Sequence, residues 1–126
     1  MSASYDDPAF CDPFDDVTFV HDSLPAADVL RVFGELDFGN SRKFAAALER
    51  AARLDHPLAI DLTKCRYMDA SAISVLVRAR SAMSSRLSVV ADPNGIPKRV
   101  LALTNVEDEL DIAPTVADAL ATRNAF

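Results

Sequence analysis

The chain is short of the residues that most often announce chemistry, with two cysteines, two histidines and three glycines among 126 residues. Cys11 and Cys65 fit no metal-ligand or redox spacing, and in a reducing compartment both are expected to be free thiols. His21 and His56 are far apart in the chain, and neither shares a motif with Ser or Cys. Nothing therefore points to a nucleophile held by an oriented base. The glycines form neither a Gly-x-x-x-x-Gly-Lys phosphate loop nor a Gly-x-Gly-x-x-Gly fingerprint. No catalysis, metal or cofactor is expected. No uncharged apolar run approaches membrane-spanning length, and the N-terminus has neither a basic nor an apolar signal region. The expectation is a cytoplasmic protein without membrane insertion.

Positive charge is missing from the first 22 residues, which hold Asp6, Asp7, Asp12, Asp15, Asp16 and Asp22. From Ser23 onward, 13 acids balance 13 bases, so the net charge of −6 sits in a leader. Without a basic stripe, direct nucleic-acid binding is excluded as an expectation, because that binding rests on neutralising phosphates.

Half the residues are apolar and a quarter are charged, an ordinary globular composition of one-domain length. Residues 1–15 read as an acidic flexible tail and 16–126 as the domain. Asp16 to His21 and Val29 to Phe33 read as strands that pair antiparallel across a short connection. From Ser41 the period becomes helical, with Phe44, Leu48, Ala51 and Leu54 in one stripe that ends at 55–57. Leu58 to Leu62 reads as a central parallel strand, and Leu87 to Ala91 as the next. Pro97 opens a helix with Val100, Leu101 and Leu103 on its apolar side. A short strand at 110–112 precedes a last helix through Ala117, Leu120 and Ala121, with Thr115 and Asp118 spaced as a capping box. The order ββαβαβαβα predicts an α/β domain with a mainly parallel mixed sheet, an antiparallel N-terminal strand and flanking helices.

The stretch that organises the chain is Tyr67-Met68-Asp69-Ala70-Ser71-Ala72-Ile73, the turn between the strand at 58–62 and an apolar helix beginning near Ser71. It puts Asp69 and Ser71 outside the carboxyl end of a strand, where open α/β sheets place their sites. The same residues also make an ordinary helix cap, and spacing alone favours the cap. Right-handed crossovers make the Asp37 turn its neighbour.

Gly34-Glu35-Leu36-Asp37 after the second strand, Ile60-Asp61-Leu62 followed by Asp69-Ala70-Ser71-Ala72-Ile73, and Pro97-Lys98-Arg99-Val100-Leu101 together resemble the STAS domain. This is the fold of bacterial anti-sigma factor antagonists, and the resemblance covers about residues 16–122. The resemblance implies a non-enzymatic regulator of transcription whose partner is an anti-sigma factor with a kinase-like ATPase domain. The family's usual turn reads Asp-Ser-Ser-Gly-Leu, and its first serine is the phosphoacceptor. Laid on this chain, the aspartate falls on Asp69, the acceptor on Ala70, the second serine on Ser71 and the glycine on Ala72. Ala70 has no hydroxyl, so the family's off-switch cannot operate there. The chain is then constitutively active, uses Ser71 as a substitute, or is controlled by its leader or a thiol.

The partner-binding residues implied are Asp37, Asn40, Asp69, Ala70, Ser71 and Ile73. Asp37 either faces the partner or holds the Asn40 helix start, and Ser71 is either a cap or a substitute acceptor. Asp61 is expected to make a structural hydrogen bond, since a buried acid must be paired. Cys11 and Cys65 form a candidate redox pair that would pin the leader over the turn. Arg42 and Lys43, at the wrong end of the helix macrodipole, either meet an acidic partner or are simply solvated. The rival reading is a small-molecule or lipid-handling STAS subunit of a transporter, and a third is a signalling scaffold.

Overall fold

The computed structural model describes residues 17–53 and 56–124, with side chains through Ala121. The 1–15 tail, Cys11 and Leu54 lie outside the described residues. Two β-rich runs come first, β1 (Val17–Ser23) and β2 (Asp28–Leu36), paired antiparallel across a turn closed by Leu24 N–H donating to Ala27 O at 2.9 Å. Then follow α1 (Ser41–Ala51), β3 (Leu58–Asp61), β4 (Cys65–Met68), α2 (Ala70–Met83), β5 (Leu87–Val90), α3 (Ile96–Leu103), β6 (Ile112–Ala113) and α4 (Val116–Asn124). The sheet runs β1-β2-β3-β5-β6, with β4 pairing β2 beyond the end of β3, and every pair except β1–β2 is parallel. The expected α/β architecture with one antiparallel N-terminal strand is the one observed.

Strand alternation divides the core. Leu30, Val32, Leu58, Ile60, Leu87 and Val89 face α1 and α2, where Phe44, Leu48, Leu76 and Met83 meet them. Phe19 stacks on Phe44 with ring centroids 5.9 Å apart. Ala59 and Val90 point to the opposite face, under Val116, Ala119 and Leu120 of α4.

Several expectations are corrected. Cys65–Met68 is a strand, and it takes in Tyr67 and Met68, which were expected at the start of the turn. Its burial runs in, out, out, in, because its register against β2 shifts between Gly34 and Glu35, so no alternating pattern marks it in the sequence. Gly34, at φ 106°, supplies the left-handed backbone that this irregularity uses. β2 therefore continues through Gly34-Glu35-Leu36, where a break was expected.

The first long helix stops at Ala51 rather than at 55–57, since Ala52 is already extended. Leu103 is 75% exposed; two residues on from buried Leu101, it lies on the far side of a 3.6-residue turn. In α4 the inward residues are Val116, Ala119 and Leu120 rather than Ala117 and Ala121, again the i, i+3, i+4 rule. Leu110 is buried, but the strand itself is Ile112–Ala113. Thr115 does cap α4, its Oγ1 accepting from Asp118 N–H at 3.0 Å.

Candidate functional site at the carboxyl edge of the sheet

Both turns in question leave neighbouring strands at the same edge. β2 ends at Leu36 opposite Met68, the last residue of β4, so the β2–α1 loop and the start of α2 come together. Asp69 N–H donates to Leu36 O at 3.1 Å. The Asp69 side chain then serves both segments. Oδ1 accepts from Ser71 N–H at 2.9 Å and from Ser71 Oγ at 2.5 Å, and Oδ2 accepts from Phe38 N–H at 3.1 Å. Burial by itself would raise this carboxyl's pKa. Hydrogen bonds from Ser71 and from the backbone of Ala72 and Phe38 outweigh that and hold it below the usual carboxylate range. Asp69 is thus an N-cap, and also a clamp across 31 residues of sequence.

The β2–α1 loop is braced by its own side chains. Asp37 N–H donates to Asn40 Oδ1 at 2.9 Å, Asn40 N–H donates to Asp37 Oδ1 at 3.2 Å, and Asn40 Nδ2 donates to Glu35 O at 2.9 Å. Asn40 stands at the N-cap position of α1, yet its side chain makes no cap bond and turns back into the loop, leaving the residue 4% exposed. Asp37 holds the helix start, as one of its two readings had it.

Of the six residues expected at the partner surface, Asp37, Asp69, Ala70 and Ser71 come together, with Ala70 exposed and the other three half-buried. Asn40 and Ile73 also lie here, but their side chains are buried, and they shape the surface from beneath. Ala70 is exposed, and Ser71 is half-buried with its hydroxyl donating to Asp69. Ala72 is fully buried, its methyl packed in the core. Arg42 is exposed at the first turn of α1, which carries no acid there. Phe38, missed in the sequence, is 84% exposed between Asp37 and Gly39 at the tip of the loop.

Neither Cys65 nor Asp61 is a hydrogen-bond partner of the Asp69 carboxylate. Cys65 is buried and its Sγ donates to Tyr67 O at 3.1 Å. Burial pushes its thiol pKa up, against opposing hydrogen bonds from the backbone of Tyr67 and Leu36. Asp61 is paired as expected, accepting from Arg31 Nη1 at 3.0 Å, Thr63 N–H at 2.9 Å and Thr63 Oγ1 at 2.7 Å.

His21 and His56, distant in sequence, converge on fully buried Asp28 at the opposite end of β2. His21 Nε2 lies 2.9 Å from Oδ1, His56 Nδ1 lies 2.6 Å from Oδ2, and Arg53 Nε donates to Oδ2 at 2.8 Å. Burial would raise the Asp28 carboxyl, but hydrogen bonds from Arg53, His21, His56 and Ser23 hold it well below the usual range. Ser23 Oγ also accepts from Arg53 Nη2 at 3.0 Å, and His56 Nε2 lies 3.3 Å from Pro25 O. The two imidazoles contact Asp28, Arg53 Nη2 and Pro25 O, and the cluster is a structural knot between the β1–β2 hairpin and the segment after α1. Separations of 7 and 28 residues left no signal of it in the sequence.

Among the described residues no group of three His, Cys, Asp or Glu side chains is placed to hold a metal ion, and no helix is long and apolar enough to cross a membrane.

Comparison with known proteins agrees with this architecture. A STAS-domain containing protein of Pseudomonas aeruginosa is 29% identical over 97 residues, covering 72% of this chain and 96% of that protein. An anti-sigma factor antagonist from Mycobacterium paratuberculosis superposes with a TM-score of 0.77 at 22% identity, covering 90% of this chain and 97% of its own. The murine Solute Carrier 26 family member A9 anion transporter also superposes, with a TM-score of 0.66 at 16% identity, covering 83% of this chain but only 19% of the transporter. The STAS domain family model matches residues 21–119, and the chain belongs to the STAS domain family.

Proposed function

We propose that this protein is an anti-sigma factor antagonist that binds a kinase-like anti-sigma factor through the edge formed by the Asp37 loop and the start of α2, thereby freeing a sigma factor. The observation that carries this reading is the Asp69 clamp. One carboxylate caps α2 and also holds the β2–α1 loop at Phe38 N–H, so two separate segments present one surface around exposed Ala70. Such pre-ordering favours binding, because loops ordered only on contact cost affinity.

Ala70 occupies the position of the family's phosphoacceptor. A phosphoryl group at a helix N-terminus adds about −1.5 to −2 charges, enough to make or break an interface. Without a hydroxyl, the complex does not end itself in that way. Ser71 is a poor substitute acceptor, since its hydroxyl already donates to Asp69 Oδ1. A phosphoryl group on it would also lie against that carboxylate.

Incubation with the anti-sigma kinase of the source organism and ATP tests the reading. The expected result is a stable complex with no phosphate on the wild type, and phosphorylation of Ala70→Ser at the new hydroxyl. Phosphate mapped to Ser71 of the wild type by peptide mass spectrometry would overturn constitutive activity, and absence of any complex would overturn the partner class. The likeness to part of an anion transporter supports the rival, a STAS subunit of a transport system. Binding to permease components in place of the kinase would favour it.

A further inference from the structure

We infer that Phe38 is the anchor of this surface, an aromatic side chain that enters an apolar pocket on the anti-sigma factor. The inference rests on the function proposed above and names the residue through which it works. Phe38 is the most exposed of the exposed large apolar residues among those described, at 84%. A single exposed apolar side chain is ordinary by itself. What sets this one apart is the frame beneath it.

The backbone on both sides of Phe38 is pinned while its side chain is uncovered. Its N–H donates to Asp69 Oδ2 at 3.1 Å, and its carbonyl accepts from Ser41 Oγ at 3.3 Å. Asp37 and Asn40 exchange bonds across it, and Asn40 Nδ2 ties the loop to Glu35 O at 2.9 Å. Gly39 leaves the Asp37 carboxylate unhindered, since a Cβ there would sit 3.2 Å from Asp37 Oδ1. The carboxylate that positions Ser71 therefore also positions the Phe38 backbone, so the side chain is projected from a set point relative to the start of α2.

Such an arrangement has the two properties of an interface anchor. The main chain is already ordered, so contact requires no loop ordering. The side chain has two rotatable bonds and a large apolar surface, and rigid aromatic residues of this kind dominate binding where they fill a pocket inside a polar rim. Asp37, its neighbour in the loop, and Asp69, which holds its N–H, are the polar groups around it.

Calorimetric titration of the purified anti-sigma factor kinase of the source organism with wild type, Phe38→Ala, Phe38→Leu and Asp69→Ala tests the inference, with thermal melting of each variant as a control. Phe38→Ala is expected to weaken binding by about 30-fold or more, the size of a central interface residue, and to leave Tm within about 2 °C because the residue is exposed. Phe38→Leu, which keeps apolar bulk, recovers most of the affinity. If Phe38→Ala binds within about threefold of wild type while Asp69→Ala is weakened, the anchor is refuted and the proposed surface stands. If wild type binds no such kinase, the function and the anchor fall together.

Discussion

Replacing Asp28 by Ala should be among the most damaging single polar substitutions in this domain. The Asp28 side chain is fully buried and is the common acceptor for Arg53, His21 and His56, which come from two different segments. Deleting one partner of a buried ionic cluster costs about 3–5 kcal/mol, because the groups left behind lose their compensation. Here Arg53 is 49% exposed and can regain water, so the lower end applies, about 3 kcal/mol. For a domain of this size that lowers Tm by roughly 9–15 °C.

Urea denaturation at pH 7 measures the loss directly. The pH dependence has a definite sign. Asp28 has a folded pKa depressed below its unfolded value of about 3.9, so its stabilisation is fully present above that value and declines as pH falls toward the folded pKa. The gap between wild type and Asp28→Ala should therefore narrow by about 1 kcal/mol between pH 7 and pH 3. A loss under about 1 kcal/mol at pH 7, or one equally large at both pH values, would refute the assignment of the cluster as a stabilising knot. The cluster lies at the other end of β2 from Asp69, roughly 26 Å away by strand rise. The variant's binding surface should thus be intact at temperatures where it remains folded.

Two further outcomes are expected. Gly34→Ala forces a Cβ into a backbone at φ 106° and should cost about 1–2 kcal/mol by urea denaturation; an unchanged midpoint would mean that the β2 irregularity relaxes freely. In a Cys11→Ser background, Cys65 should react with iodoacetamide only slowly at pH 7.5 and become reactive once urea unfolds the chain, and rapid labelling of the native protein would restore it as a redox candidate.

The sequence by itself determined the element types wherever burial on one face writes a period into the chain. Phe44, Leu48 and Ala51 repeat as a helix buries them, and Val17 to Val20 is β-branched and aromatic as a strand requires. Thr115 and Pro97 mark helix starts through local chemistry that needs no distant partner. The absence of a hydroxyl at residue 70 is likewise legible without any structure. Only the tertiary structure decided what depends on a partner far along the chain. β4 exists because the end of β2 offers it unpaired backbone groups, and its irregular register erases the alternation that would have announced it. Asn40 turns inward to bond Asp37 N–H and Glu35 O, and Ile73 turns inward to join the core, while Phe38 remains outside. His21, Arg53 and His56 gather on Asp28 because the β1–β2 hairpin and the segment after α1 are packed side by side, and no local pattern encodes a contact between residues that sequence keeps apart.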